Sequence, residues 1–309
     1  MLSQTSKSPL VSIGIPTYNG GEKLRTVVES IMQQNYPAID IMISDNCSAP
    51  ETSSICRQLA AEFPSIKYYR QADNIGMLAN FEFLLDHAEG KYFMWVADDD
   101  SLAPNAIGRY VEFMESHSDY SLVSGAIEYS LNGRVTEYEE GFNFSQSSPL
   151  QRVAGFYFGV VHGALFHGMM RTALAKQARI SRVIGSDWHF VANMAYAGKI
   201  RNLPFVGYRK NFGGSSHDHK KYAKMIGDSA FAGNYPYVKI SLDAYREITS
   251  RSAVFSSAPF YLKYPMAVAS MIAVLSSHYL TLYPLIIGGK LKRSIKAIPA
   301  FFQRRLSHH

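Results

Sequence analysis

The sequence predicts a doubly wound α/β fold, and three observations carry that prediction. Apolar runs with a period of two alternate with runs of helical period from Val11 to Ile127, the connections between them are short, and one run, Tyr92–Ala97, has no polar interruption. Repeated βα units of this kind build a largely parallel sheet covered by helices, and the uninterrupted run is what a central strand buried on both faces requires. In such sheets ligands collect beyond the carboxyl ends of the strands.

Val11, Ile13 and Ile15 alternate with small residues as a first strand, and Pro16 to Gly21 supplies the turn after it. Leu24, Val27, Val28 and Ile31 then fall at i, i+3, i+4 and i+7, the stripe of a helix that Pro37 stops. Ile39–Ile43 is a second strand, ending at Ser44-Asp45-Asn46. Ile55, Leu59 and Phe63 mark a helix, Ile66–Tyr69 a third strand, and Phe81, Leu84, Leu85 and Ala88 a helix closed by Gly90. The run Tyr92–Ala97 leads straight into Asp98-Asp99-Asp100. Pro104 suits the first turn of the next helix (Ile107, Tyr110, Val111, Met114), and Leu122–Ile127 is a fifth strand. Asn132-Gly133 has the composition of a hairpin turn, after which residues 133–170 mix aromatics, glycine and histidine and read as a mixed β region. Gly185-Ser186-Asp187 precedes a helix, Trp188–Ala197, that Gly198 ends. Two short strands, Ile200–Leu203 and Phe205–Arg209, lead into a glycine- and serine-rich loop from Asn211 to His219.

The chain has 309 residues, 47% hydrophobic and 18% charged, so it has apolar surface enough to offset the entropy of ordering it; a disordered chain, a collagen and a coiled coil are excluded. Cys47 and Cys56 build neither a disulfide framework nor a zinc site, which fits a reducing compartment. Net charge is +6, yet Lys290, Lys292, Arg293, Lys296, Arg304 and Arg305 already supply six positive charges against no acid, so the preceding 289 residues sum to zero. A basic tail is not the charged face of a nucleic-acid binder; it points to an anionic membrane surface. Met1 to Pro9 lacks the apolar core of a signal peptide, so a cytoplasmic body peripherally associated with the inner face of the cell membrane is expected. Tyr264 to Gly289 is 26 residues without a charge, long enough to span a bilayer, but Pro265, Pro284 and Ser276 to Tyr279 favour interfacial helices instead. Leu291, Ile295, Ile298 and Phe302 continue a helical spacing among the basic residues.

Three consecutive carboxylates at the end of a buried strand repel one another and call for a hard divalent cation, whose shell substrate phosphate and water would complete. A helix cap would need only one of them. No GxxxxGKS/T and no GxGxxG follows the first strand, so neither a P-loop nor a dinucleotide fold is supported.

Pro16-Thr17-Tyr18-Asn19-Gly20, Asp45, the stretch from Asn74 through Gly76 to Asn80, Asp98-Asp99-Asp100 followed by Pro104, and Ser186-Asp187-Trp188 together resemble the family 2 glycosyltransferases of the GT-A fold, over roughly residues 10 to 215. The resemblance implies a Rossmann-like mixed sheet with a C-terminal helical appendage. Residues 1–130 would form the nucleotide-sugar half, 131–222 the acceptor half, and 223–309 a helical region that meets a membrane or a second copy of the chain. It implies that Asp45 accepts a hydrogen bond from the nucleotide base and that Pro16, Thr17, Tyr18 and Asn19 line the base and ribose pocket. Asn74, Gly76 and Asn80 would flank the sugar nucleotide, Asp98 would face the ribose, and Asp99 or Asp100 would hold Mn2+ or Mg2+. His217 or His219, in the late loop, would complete the metal shell or touch the diphosphate. Asp187 matches the catalytic base, with Ser186 where the family more often has Glu. The implied reaction is an inverting transfer from a UDP, dTDP, CDP or GDP sugar to a hydroxyl of a glycan or polyprenyl-linked acceptor, as in bacterial surface polysaccharide synthesis. Asp45 points to a pyrimidine base.

His162 and His167 lie in an apolar stretch that suits packing or an acceptor pocket, and Trp188 suits the core or a sugar platform. Two other functions compete. A phosphohydrolase would use Asp98 as nucleophile and Asp100 as acid, leaving Asp45, Asn74 and Asp187 without a role. A non-catalytic, membrane-bound nucleotide scaffold would keep the fold without the chemistry.

Overall fold

A computed structural model describes residues 8–131, 134–160, 164–211 and 218–280. Strands β1 (Val11–Thr17), β2 (Ile39–Asp45), β3 (Ile66–Arg70) and β4 (Tyr92–Trp95) are parallel and lie in the order 3-2-1-4. Helices α1 (Lys23–Met32), α2 (Pro50–Glu62) and α3 (Met77–His87) make the crossovers. Beyond β4 the sheet is mixed: β8 (Met169–Arg171) runs antiparallel between β4 and β6 (Tyr120–Leu131). Strand β9 (Lys199–Asn211) then lies parallel to β6, and the two-residue β5 (Ser101–Leu102) closes the edge on β9. Strand β7 (Arg134–Glu139) folds back antiparallel on β6. This is the doubly wound mixed sheet that the sequence predicts.

The period of two in β4 divides the core. Tyr92 and Met94 join Leu24, Val27 and Ile31 of α1 on one face; Phe93 and Trp95 join Leu84 and Leu85 of α3 on the other. Trp95 is fully buried, stacks on Phe166 at 4.5 Å and donates to the Phe81 carbonyl at 3.0 Å. Each large apolar side chain buried this way contributes about 1.5 to 3 kcal/mol, so β4 is a rigid platform for the acidic residues that follow it.

Three expectations need correction. Pro104 precedes rather than enters α4 (Ala106–Ser116), because Ser101 and Leu102 are taken by β5 and Asn105 turns the chain in a left-handed conformation. The two short strands after Gly198 are one long strand: Pro204 and Phe205 fall where the β6–β9 register shifts, so proline is accommodated at an irregularity rather than ending the strand. The mixed β region contains the helix α5 (Pro149–Gly159), whose Val153, Phe156 and Tyr157 are buried; Gly155 and Gly159 weaken its helical signature. A further helix, α6 (Thr172–Ala178), follows β8 directly. Asn132-Gly133, His162, His217 and residues 281–309 lie outside the described residues, although β6 and β7 pair across the expected hairpin with Leu131 opposite Arg134.

Helix α7 (Ser186–Ala197) packs beneath the antiparallel half, and a helical region follows β9, as predicted: α8 (His219–Met225), α9 (Ala230–Asn234), α10 (Pro236–Arg246) and α11 (Phe260–Leu275). Buried ions fasten it. The Asp243 carboxylate, with no exposed surface, is paired with Lys239 and, at 3.2 Å, with Arg251. Glu247 accepts from Ser181 (2.8 Å) and from Asn193 of α7 (3.0 Å), which ties the region to the helix that begins at the site.

Candidate active site

The carboxyl ends of β1, β2 and β4 lie side by side, and each carries a candidate residue. Asp45 ends β2 with no exposed surface. Its Oδ1 accepts the Ser48 N–H at 2.8 Å, and its Oδ2 accepts from Ser53 (2.8 Å), Tyr68 (2.9 Å) and Arg70 (2.7 Å). Burial opposes ionisation there, but the hydrogen bonds from Ser48, Ser53 and Tyr68 outweigh it, and the carboxyl lies below the usual carboxylate range. The two loops above are clipped together. Asn19, in a left-handed conformation, donates its N–H to Ser48 Oγ and accepts the Ala49 N–H, both at 2.9 Å. Asn46 donates to Asn74 Oδ1 at 2.9 Å and accepts the Ile75 N–H at 2.9 Å; Asn74 also accepts the Gly76 N–H. Pro16 and Thr17 are buried within β1, whereas Tyr18 is 54% exposed and open to a ligand. Asn80 lies beneath this surface: its amide exchanges hydrogen bonds with Ser44 Oγ (2.6 Å) and the Ser44 carbonyl (2.9 Å), holding α3 on β2.

The three consecutive aspartates differ in environment. Thr17 Oγ1 donates to Asp98 Oδ2 at 2.6 Å, and burial raises the Asp98 carboxyl. Glycine is required at position 20, where a Cβ would stand 2.5 Å from that same oxygen. Asp99 is half-exposed, 4.0 Å from the Lys23 ammonium. Asp100 is buried, at 3% exposure; its Oδ1 accepts the Asn211 N–H at 3.0 Å, while its Oδ2 has no close hydrogen bond among the described residues and the Tyr208 hydroxyl acts on the carboxyl from nearby. Burial pushes its carboxyl up to about 6. The nearby Tyr208 hydroxyl accepts the Ala97 N–H at 3.0 Å and bonds His167 Nδ1 at 3.3 Å. None of the three carboxylates caps α4.

Across from them, Asp187 stands in the first turn of α7, capped by Gly185 in a left-handed conformation (φ 74°) rather than by a side chain. Burial raises the Asp187 carboxyl; its own and the Trp188 N–H groups and the Lys210 charge act in the opposite direction. The Lys210 charge acts on Asp100 as well. His167 stacks on Tyr208 with ring centres 4.9 Å apart, and burial holds its imidazole down to about 3, so it is neutral at physiological pH. Trp188 is a core residue, 7% exposed and stacked on His278. Asp218 caps α8 by accepting the Lys220 and Lys221 N–H groups at 3.0 Å each; His219 in the first turn therefore packs its ring on Tyr237. Among the described residues no three His, Cys, Asp or Glu side chains converge on one point.

A family model, glycosyl transferase family 2, matches residues 12–176, more than half of the chain. The chain belongs to that family. It is 26% identical over 145 residues to the GalNAc(5)-diNAcBac-PP-undecaprenol β-1,3-glucosyltransferase of Campylobacter jejuni, covering 47% of this chain and 46% of that one. The alignments span less than half of the curated relatives' own length, 14% in one case and 46% in another. Among solved structures, S. aureus TarS 1–349 in complex with UDP-GlcNAc superposes with a TM-score of 0.64 at 17% identity, covering 94% of this chain and 80% of that one. The mannosyltransferase PcManGT of Pyrobaculum calidifontis, in complex with GDP-Man and Mn2+, superposes with a TM-score of 0.56 at 14% identity, covering 98% and 87%. At these identities the two structures establish the GT-A fold alone.

For this glycosyltransferase-family chain, sequence reasoning did not find the residues that complete Asp45 (Ser48, Ser53, Tyr68, Arg70) or those opposite the aspartates (Tyr208, Lys210, Asn211). The alternation Tyr208, Lys210 on one face of β9 against Arg209, Asn211 on the other was the available signal. Reading two strands there broke it before its carboxyl end.

Proposed function

We propose that the protein is an inverting glycosyltransferase that moves a sugar from a nucleoside-diphosphate donor to a hydroxyl of a glycan or polyprenyl-linked acceptor in bacterial surface polysaccharide synthesis. One observation carries the reading: Trp95 at the end of β4 packs edge-on against Phe190, one turn into α7, with ring centres 5.2 Å apart, so the aspartates after β4 and Asp187 stand at neighbouring ends of the two elements, and the Lys210 charge acts on both. Donor and acceptor need that arrangement, because a direct displacement brings its nucleophile in opposite its leaving group.

In this mechanism Asp187 removes the proton of the acceptor hydroxyl as the oxygen attacks the anomeric carbon. Burial suits it to the task by raising its proton affinity towards that of a general base. Tyr18 and the clipped loops at Asn19, Asn46 and Asn74 form the wall on which the nucleotide lies, with Asp45 and Asn80 holding that wall from beneath. Asp98 orients Thr17 and the turn at Gly20 for the ribose. The buried Oδ2 of Asp100, without a close hydrogen bond, and the half-exposed carboxylate of Asp99 are hard oxygen donors that fit a divalent cation of the Mn2+ or Mg2+ kind. When bound, such an ion supplies charge neutralisation at the donor diphosphate. The match to the glycosyl transferase family 2 model, rather than any hydrogen bond at Asp98, disfavours the phosphohydrolase reading. The division into a donor half (1–130), an acceptor half (131–222) and a helical region (223–309) follows these roles.

For the last region we infer a peripheral seat on anionic membrane from the cytoplasmic side. The helical stretch Phe260–Tyr279 is long and apolar enough to cross a bilayer, but Met266, Ala267, Ser270, Ala273 and Val274 pack on the protein. Phe260 (77% exposed), Tyr261 (74%), Val268 and Ile272 face outward, and the basic stretch from Lys290 follows in the sequence. Flotation with phosphatidylglycerol vesicles tests this; a chain that stays in the soluble fraction refutes it. The catalytic reading is tested by thermal stabilisation with UDP, GDP, dTDP and CDP, each with and without Mn2+. One nucleotide should raise the midpoint, more so with metal, since a ligand that binds only the folded state stabilises it. No shift with any of the four would remove the reading.

A further inference from the structure

Lys210 is half-buried near the end of β9 and makes no ion pair among the described residues, although carboxylates lie on both sides of it. Its direction follows from its strand. Residues two apart share a face, so Lys210 projects on the side of Tyr208, whose hydroxyl reaches the Ala97 N–H and His167 beneath the aspartates. Tyr129, its register partner on β6, lies on the same side and feels the Asp100 charge. The next residue, Asn211, fastens this end of β9 to the aspartates: its N–H goes to Asp100 Oδ1 and its side-chain amide to the Asp99 carbonyl. The strand is thus clamped to the acidic turn, and Lys210 lies on its Tyr208 face, where its charge acts on Asp100 and on Asp187. A cation kept at a distance from several carboxylates, rather than collapsed onto one, leaves room for an anion between them.

We propose that Lys210 is a catalytic residue that contacts the donor diphosphate and takes up the charge of the leaving group. This rests on the glycosyltransferase reading above and names its missing component. As the acceptor oxygen bonds to the anomeric carbon, the bond from that carbon to the phosphate oxygen breaks and its electron pair stays on the phosphate. The acceptor proton passes to Asp187. The added negative charge on the departing nucleoside diphosphate then lies against the Lys210 ammonium. His167, neutral and stacked on Tyr208, contributes no competing charge.

The test compares wild type, Lys210→Met and Lys210→Arg by titration calorimetry with UDP, GDP, dTDP and CDP, and with the four parent nucleosides, together with turnover of the matching UDP-, GDP-, dTDP- or CDP-sugar. Lys210→Met should weaken binding of the diphosphate about tenfold or more and leave binding of the nucleoside unchanged, since the contact is charge-assisted and confined to phosphate. Turnover should fall by ~10²-fold, the loss typical of one donor to a developing oxyanion, with partial recovery in Lys210→Arg. Equal weakening of nucleoside and diphosphate would mean a structural role and overturn the proposal. So would a Lys210→Met protein with wild-type affinity and turnover. A wild-type protein that binds none of the four diphosphates would instead remove the parent reading, and Lys210 with it.

Discussion

Asp45 and Asp100 end neighbouring parts of one sheet, both almost without exposed surface, and are opposite in character. Asp45 accepts four hydrogen bonds, one from the Arg70 guanidinium, and its carboxyl lies below the ordinary range. Asp100 accepts the Asn211 N–H and, among the described residues, otherwise meets only the nearby Tyr208 hydroxyl, and its carboxyl is pushed up by burial to about 6. The β1–β2 side is therefore finished by the chain itself, which suits a surface that recognises shape. The β4–β9 side is unfinished, with buried carboxylates whose ionisation the fold opposes. Proteins leave charge uncompensated in this way where binding or chemistry supplies the remainder.

The largest effect that would sharpen this contrast lies on the unfinished side. Asp187→Asn keeps the shape of the first turn of α7 and removes the proton acceptor. Transfer should fall by ~10²- to 10⁴-fold, the reach of general base catalysis, while nucleotide affinity stays within a factor of about two. Steady-state transfer at saturating acceptor, paired with calorimetry of the nucleoside diphosphate, measures both. Wild-type turnover in this variant would take Asp187 out of the mechanism.

Asp45→Asn and Asp100→Asn should then move stability in opposite directions. At Asp45 an amide can keep its oxygen towards Ser53, Tyr68 and Arg70 but then turns its NH2 towards the Ser48 N–H, a donor already, and loses the charge that Arg70 meets, so unfolding in urea should cost about 2 to 3 kcal/mol less than in wild type. At Asp100 the substitution removes a charge that the fold does not compensate. The ligand-free protein should gain about 1 kcal/mol, and metal-dependent nucleotide binding should be lost. Destabilisation by both would dissolve the distinction between the two sides.

How far this contrast was readable beforehand depends on which residues make it. The parallel half was legible because its signals are local: the stripe of Leu24, Val27, Val28 and Ile31, the bare run at Tyr92, and acids at strand ends. The antiparallel half was not, because β5 is two residues long and β8 three, too short for any periodicity, and because α5 carries two glycines. Asp45 and Asp187 could be singled out from their positions at element boundaries. That Asp45 is saturated could not, since Tyr68 and Arg70 reach it from β3, 23 and 25 residues away. Lys210 was hidden by distance, becoming a neighbour of Asp100 only when β9 pairs beside β6.

The smallest effect, and the one that isolates the two carboxyls, is the pH dependence of these stability differences in ligand-free, metal-free protein. The Asp45 carboxyl is lowered on folding, so its contribution is fully present above the unfolded value of about 3.9 and is lost as pH falls through the lower folded value. The cost of Asp45→Asn should therefore be constant from neutral pH down to about 4 and shrink below it. Asp100 has the opposite sign. Its folded value, about 6, lies above the unfolded one, so ionisation opposes folding, and the penalty grows as pH rises from about 4 to about 6 and is level beyond. The gain from Asp100→Asn should accordingly be absent near pH 4 and fully developed by about pH 7. Urea denaturation of wild type and both variants across that interval reads the two curves. If the gain in Asp100→Asn did not vary with pH, the carboxyl would ionise as freely in the folded chain as in the unfolded one. The β4–β9 side would then not be waiting for a charge to complete it.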